Sequence, residues 1–170
     1  WILLLKQQLD LAEAPADKAE AARNAYREAV RALVALDPAD AHGWVQGGLA
    51  TERGTWAIGQ GGGIDAIAFY EAALVRDPRH IGAHHFLVHA WENLGRHDKA
   101  AEHGAVFAAA VPGVAHAQHM FAHVLPRLGR WDEARTQLLK ADAIERAHYA
   151  TEQIAPEEDW HHGHNLHLLG

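Results

Sequence analysis

The sequence predicts an all-α fold built from helix–turn–helix pairs, and three observations carry that prediction. Alanine, the strongest helix former, fills about one position in five of the 170 residues. Asp37-Pro38, Asp77-Pro78 and Val111-Pro112 each close an Ala-rich stretch, as proline does where a helix must stop. Residues 81–114 and 115–148 align without a gap, one period of 34 residues apart. An apolar fraction of 49% and a charged fraction of 22% are those of a globular chain.

Each element has a local reason. Trp1-Ile2-Leu3-Leu4-Leu5 is too short for a signal-peptide core and reads as the first turn of a helix over 2–12. A leading helix over 16–36 runs to Asp37-Pro38. Helices over 40–55 and 64–76 are parted by Gln60-Gly61-Gly62-Gly63, where Gly62 and Gly63 cannot sit stably inside a helix. The next pair, 80–94 and 98–110, turns at Leu94-Gly95-Arg96-His97-Asp98-Lys99-Ala100. One period later, helices over 114–128 and 131–151 turn at Leu128-Gly129-Arg130-Trp131-Asp132-Glu133-Ala134, with Pro126 expected to bend or end the first of them early. In both turns the glycine ends one helix in a left-handed conformation and the alanine lets the next helix pack closely. An irregular or short helical insertion over 146–158 precedes a last helix over 159–170, and no strand is needed.

The period, the Gly–aromatic–Ala turn and the closing proline resemble the tetratricopeptide repeat (TPR) family over about residues 16–148. Trp44, Gly48, Tyr70 and Ala73 also hold family-like positions. The resemblance implies a helical solenoid with a concave groove. Its organisation would be one domain over 1–170, read as a segment of a longer chain. It comprises a leading helix (16–38), a divergent repeat with a Gly-rich turn (39–79), repeats over 80–114 and 115–148, and an insertion with the start of a further groove helix (149–170). In this family the first helix of each pair lines the groove, which implies that His85, His89, His116, His119 and His123 face it. The region from His80 onward is also similar to a His-rich bacterial branch of the family whose activity is unknown.

Helix geometry points the same way. The chain holds 15 histidines, several times the usual share, and His85/His119 and His89/His123 recur at the repeat spacing. Residues four apart share a helix face, and packed helices lie about 8–10 Å apart. Two H-x-x-x-H pairs on neighbouring helices can therefore meet at one metal ion. His85, His89, His119 and His123 are the expected ligands, with His116 and Glu92 as extra or supporting groups. His164 and His167 join them if Gly170 is a mid-helix residue, and His164 alone does if Gly170 is a turn. Imidazole donors without thiolates fit divalent copper, zinc or iron. The alternative is a metal-free polar groove that holds a peptide, a protein partner or a neighbouring subunit, with oligomerisation open and the clustered imidazoles acting as a pH-sensitive surface.

Other histidines receive structural readings: His84 and His97 as packing residues, His42, His80, His103 and His148 as exposed or at helix ends, and His161 and His162 as a solvated helix-start pair. Trp44, Trp56, Trp91 and Trp131 read as core or groove wall. A net charge of −7 argues against nucleic-acid binding, and the absence of cysteine excludes disulfides, thiolate zinc sites and iron–sulfur clusters. No apolar run reaches the roughly 20 residues of a membrane span. The Gly-rich turn lacks the Lys-Ser/Thr of a phosphate loop. Phe86 and Met120 stand where a zinc protease carries its glutamate, and without serine no Ser-His-Asp set exists. No reaction is assigned. The compartment stays open, the cytoplasm slightly favoured over the periplasm.

Overall fold

Buried positions recur at helical spacing along the chain. Tyr26, Ala29, Val30 and Leu33 form one such stripe, and Ala66, Ile67, Tyr70 and Ala73 form another. The computed structural model describes residues 1–51 and 64–170. Trp56, the end of the helix expected over 40–55 and the Gly61–Gly63 turn lie outside them. Among the described residues there are nine α-helices and two short 3-10 helices, with no strand. The chain divides into two units, Trp1–Phe86 and Leu87–Gly170.

The first unit holds α1 (Ile2–Ala12), α2 (Ala19–Leu36), α3 (Ala41–Thr51), α4 (Ile64–Arg76) and the start of α5 (Ile81–Asn93). Helix α2 starts at Ala19 rather than at 16, because Lys18 N–H closes a turn onto Pro15 O. Asp37 Oδ1 accepts from Ala39 N–H at 3.1 Å, and Asp77 Oδ1 accepts from Arg79 N–H at 3.0 Å. The two Asp-Pro breaks are thus the same side-chain turn used twice. Gly48 is dictated by close approach: a Cβ there would lie 2.2 Å from the Tyr70 ring. His80 is at a helix end as expected but buried. Its Nδ1 accepts from Ala83 N–H, and its Nε2 meets His42 Nδ1 at 2.8 Å. Trp44 is half-buried in this unit, with the Arg76 guanidinium over its ring.

The second unit holds the rest of α5, then α6 (His97–Ala110), α7 (Ala115–Val124), a 3-10 turn (Leu125–Leu128), α8 (Trp131–Glu152), a second 3-10 turn (Pro156–Glu158) and α9 (Trp160–Leu169). Its core gathers Val88, Phe107, Met120, Phe121, Val124 and Leu125 around small alanines, with Trp91 against it. Pro126 ends α7 early, as expected. Gly95 and Gly129 have φ of +70° and +71°. After each, the next amide bonds back across the turn, Arg96 N–H to Trp91 O and Arg130 N–H to Leu125 O, which is a Schellman stop.

Two expectations need correcting here. Helix α8 continues to Glu152, so the irregular segment shrinks to 153–159. The inward stripe Ala134, Leu138, Ala141, Glu145, Tyr149 keeps its spacing and holds the helix together. Trp131 opens α8 facing solvent, 66% exposed, and contributes to no core.

Candidate metal centre

Within the second unit, the rest of α5, α7 and α9 each turn histidines toward one region. His85, one turn before His89 in the sequence of α5, belongs to the first unit. On α7, the pattern AHAQHMFAHV buries Ala117, Met120 and Val124 on one side and leaves His116, His119 and His123 along another. On α9, Asp159 caps the helix by accepting from His161 N–H, which sets the register of His161, His164 and Asn165.

Within the second unit, one ligand nitrogen of His89 and one of His116 lie within 4.8 Å of each other. Both side chains are half-buried. His119 and His123, expected beside His85 and His89, form the neighbouring part of the cluster. The His119 ring lies 5.7 Å from His123, 5.0 Å from His164 and 4.8 Å from His161. Of their inner nitrogens, that of His119 is hydrogen-bonded. Asn165 Nδ2 donates to Leu138 O, so Asn165 Oδ1 faces His119 and accepts from its Nδ1–H at 3.2 Å. Glu92 Oε1 stands 3.0 Å from His123 Nδ1, off the hydrogen-bond line, and that nitrogen is buried without a hydrogen bond. His164 thus joins the cluster, whereas His167 is exposed.

Sequence reasoning missed a set of groups from α8 and α9. His161 and His162 are not solvated. His162 is buried, with its Nε2 at 2.9 Å from Asp142 Oδ1. His161 Nδ1 meets Glu145 Oε1 at 2.7 Å, and its Nε2 meets His116 Nδ1 at 3.1 Å. Glu145 is 6% exposed, and its second oxygen is buried without a partner. The signal that could have found Glu145 is the stripe of α8, in which it occupies an inward position between Ala141 and Tyr149.

Burial sets the electrostatics. Desolvation, reinforced by the neighbouring imidazoles, pushes His116 down to about 4. The same cause pushes His119 down to about 3 against the opposing bond to Asn165. His89 and His164 are also lowered, desolvation first in each. At neutral pH His89, His116, His119 and His164 are therefore uncharged imidazoles, the form that binds metal.

No family profile matches the chain, and no curated protein does. Solved structures match over most of its length. A crystal structure of MamA superimposes with a TM-score of 0.67 over 87% of this chain and 79% of its own, at 22% identity. A second MamA structure gives 0.60 over 90% of this chain and 76% of its own, also at 22% identity. TTC0263, a thermophilic TPR protein of Thermus thermophilus, gives 0.57 over 87% of each chain at 24% identity. At these identities the likeness speaks for the fold alone, and the fold is the TPR-type helical repeat. Among the described residues no helix is long and apolar enough to cross a membrane.

Proposed function

We propose that this chain is a TPR-type scaffold whose histidine cluster binds a divalent transition metal, with His89 and His116 of the second unit as protein ligands. The convergence of their nitrogens within 4.8 Å carries the reading. Imidazole nitrogens on a tetrahedral ion stand about 3.3 Å apart at bond lengths of about 2.0–2.1 Å. Two neutral imidazoles suit zinc, copper or iron and leave further coordination positions for water or other donors. Glu92, His119, His123 and His164 stand beside the pair and supply the polar wall of the site.

Peptide capture on the same face, the alternative that the fold raises, has less support. Helix α9 already covers α7 there, with His161 and His164 ring-to-ring against His119. The decisive measurement is elemental analysis of untagged protein prepared without chelator or an immobilised-metal column. A near-integral content of zinc, copper or iron per chain is expected. His89→Ala combined with His116→Ala should abolish it. Metal content unchanged in that double variant would overturn the assignment.

A further inference from the structure

We propose that His80 and His42 form a proton-sensitive latch that ties the first turn of α5 to the first turn of α3. Both residues belong to the first unit, and neither is among the proposed metal ligands. Two bonds in series make the latch. Ala83 N–H donates to His80 Nδ1 at 3.1 Å, and His80 Nε2 meets His42 Nδ1 at 2.8 Å.

The first bond fixes the proton positions. A backbone amide can only donate, so His80 Nδ1 holds a lone pair. His80 is then a neutral imidazole with its proton on Nε2, and that proton is donated to His42 Nδ1. Because its Nδ1 accepts, His42 is neutral too, with its own proton on Nε2. His80 also stands where a helix cap belongs. It immediately precedes Ile81, the first residue of α5, and its carbonyl accepts from His84 N–H. Ala83 N–H is one of the first-turn amides that lack an acceptor within the helix. Gly82 leaves room for the ring, since a Cβ there would lie 3.3 Å from His80 Cε1. On α3, Asp40 Oδ1 accepts from His42 N–H at 3.0 Å and fixes where that residue enters the helix.

This arrangement has no place for an added proton. On His80 Nδ1 it would face Ala83 N–H and break the cap. On His42 Nδ1 it would face the His80 Nε2–H and break the ring-to-ring bond. Moving the His80 proton to Nδ1 would relieve that second clash only by breaking the cap. Every route therefore costs one of the two bonds, and a cation at the start of α5 also opposes the helix dipole. Burial keeps His80 uncharged: it is 6% exposed, and its pKa is lowered by desolvation first and by His42 second. The carboxylates of Asp77 and Asp40, in the turns before α5 and α3, pull the other way. Among the other neighbours, His84 Nε2 is turned to Pro78 O at 3.1 Å, and the Trp1 ring meets His42 edge-on. The latch is closed at neutral pH and opens in acid, freeing the start of α5 from α3.

The test uses the full chain labelled uniformly with 15N. At pH 7.5, long-range 1H–15N spectra should show both rings protonated at Nε2 and bare at Nδ1, with a 15N–15N coupling across the bond between His80 Nε2 and His42 Nδ1. A proton on His80 Nδ1 at that pH, or no coupling, would overturn the proposal with no variant needed. The pH is then lowered toward 4.5 while circular dichroism reports a folded chain. As either ring takes up a proton, the coupling should vanish or the exchange protection of Ala83 N–H should fall by about 2–30-fold, the loss of one helix cap. Both persisting after protonation would mean that the rings are not latched. His80→Asn supplies a cap oxygen that does not titrate. Its Ala83 protection should hold constant over the same interval. A fall there would assign the effect to another group and overturn the proposal.

Discussion

Asn165 shows how much one side chain can decide. It is fully buried, its amide nitrogen donates to Leu138 O, and its oxygen accepts from His119. Both polar ends are used, which is what makes a buried amide tolerable. Asn165→Leu should therefore cost about 1–3 kcal/mol, because it strands a buried N–H on His119 and a carbonyl on Leu138. Chemical denaturation would read that loss. The glycines allow a cleaner comparison. Gly113 and Gly129 both have open space where a Cβ would stand, and only Gly129 has a positive φ. Gly129→Ala should destabilise by about 1–2 kcal/mol through left-handed strain alone. Gly113→Ala should be neutral or stabilising by up to about 1 kcal/mol through the unfolded chain. Equal effects at the two positions would contradict the Schellman assignment.

At the scale of the element, α9 is held to α8 mainly by polar bonds. Tyr149 O–H donates to Asp159 Oδ2 at 2.7 Å, His162 meets Asp142, His161 meets Glu145, and Asn165 reaches Leu138 O. Asp159 has two tasks, since its other oxygen caps α9. Asp159→Ala removes both bonds. It should speed amide hydrogen exchange throughout α9 while leaving α6 and α7 protected, at a cost of about 1–2 kcal/mol. Uniform loss of protection would mean that α9 and the core open together.

This element also marks the limit of what sequence could reveal. Periodicity exposed the helix pairs because apolar spacing and the two Gly turns are local signals. It singled out His85, His89, His119 and His123 as candidates because they recur at the repeat spacing. It valued His116 only as an extra group, since nothing one period earlier echoes it. His161 looked solvated because its partners, Glu145 and His116, stand 16 and 45 positions away, beyond any helix periodicity. The polar residue in the α8 stripe was the one local sign that a charged group pointed inward.

At the scale of the whole chain, the histidine cluster makes stability a function of pH. His116 and His119 fall to about 4 and 3 in the folded chain, and His80, His89 and His164 are also lowered, with desolvation the first cause in each. In the unfolded chain each returns to about 6.5. Between those values the unfolded state binds more protons than the folded one, so stability rises with pH across that interval. It is complete above about pH 6.5 and drains away as the pH falls toward 4 and below. On the proposed metal reading, binding would use the same uncharged imidazoles and add RT ln(1 + [L]/Kd), about 2.7 kcal/mol when the free ion stands at 100 times Kd. Urea unfolding should therefore give a midpoint that drops steadily from pH 7.5 to 4.5. Added zinc should raise the midpoint at pH 7.5 and lose its effect by pH 4.5, where protons displace it from the imidazoles. A metal-free midpoint that stays flat from pH 7.5 to 4.5 would mean that the imidazoles are solvated in the native chain. The buried cluster on α7 and α9 would then be the wrong description of this surface.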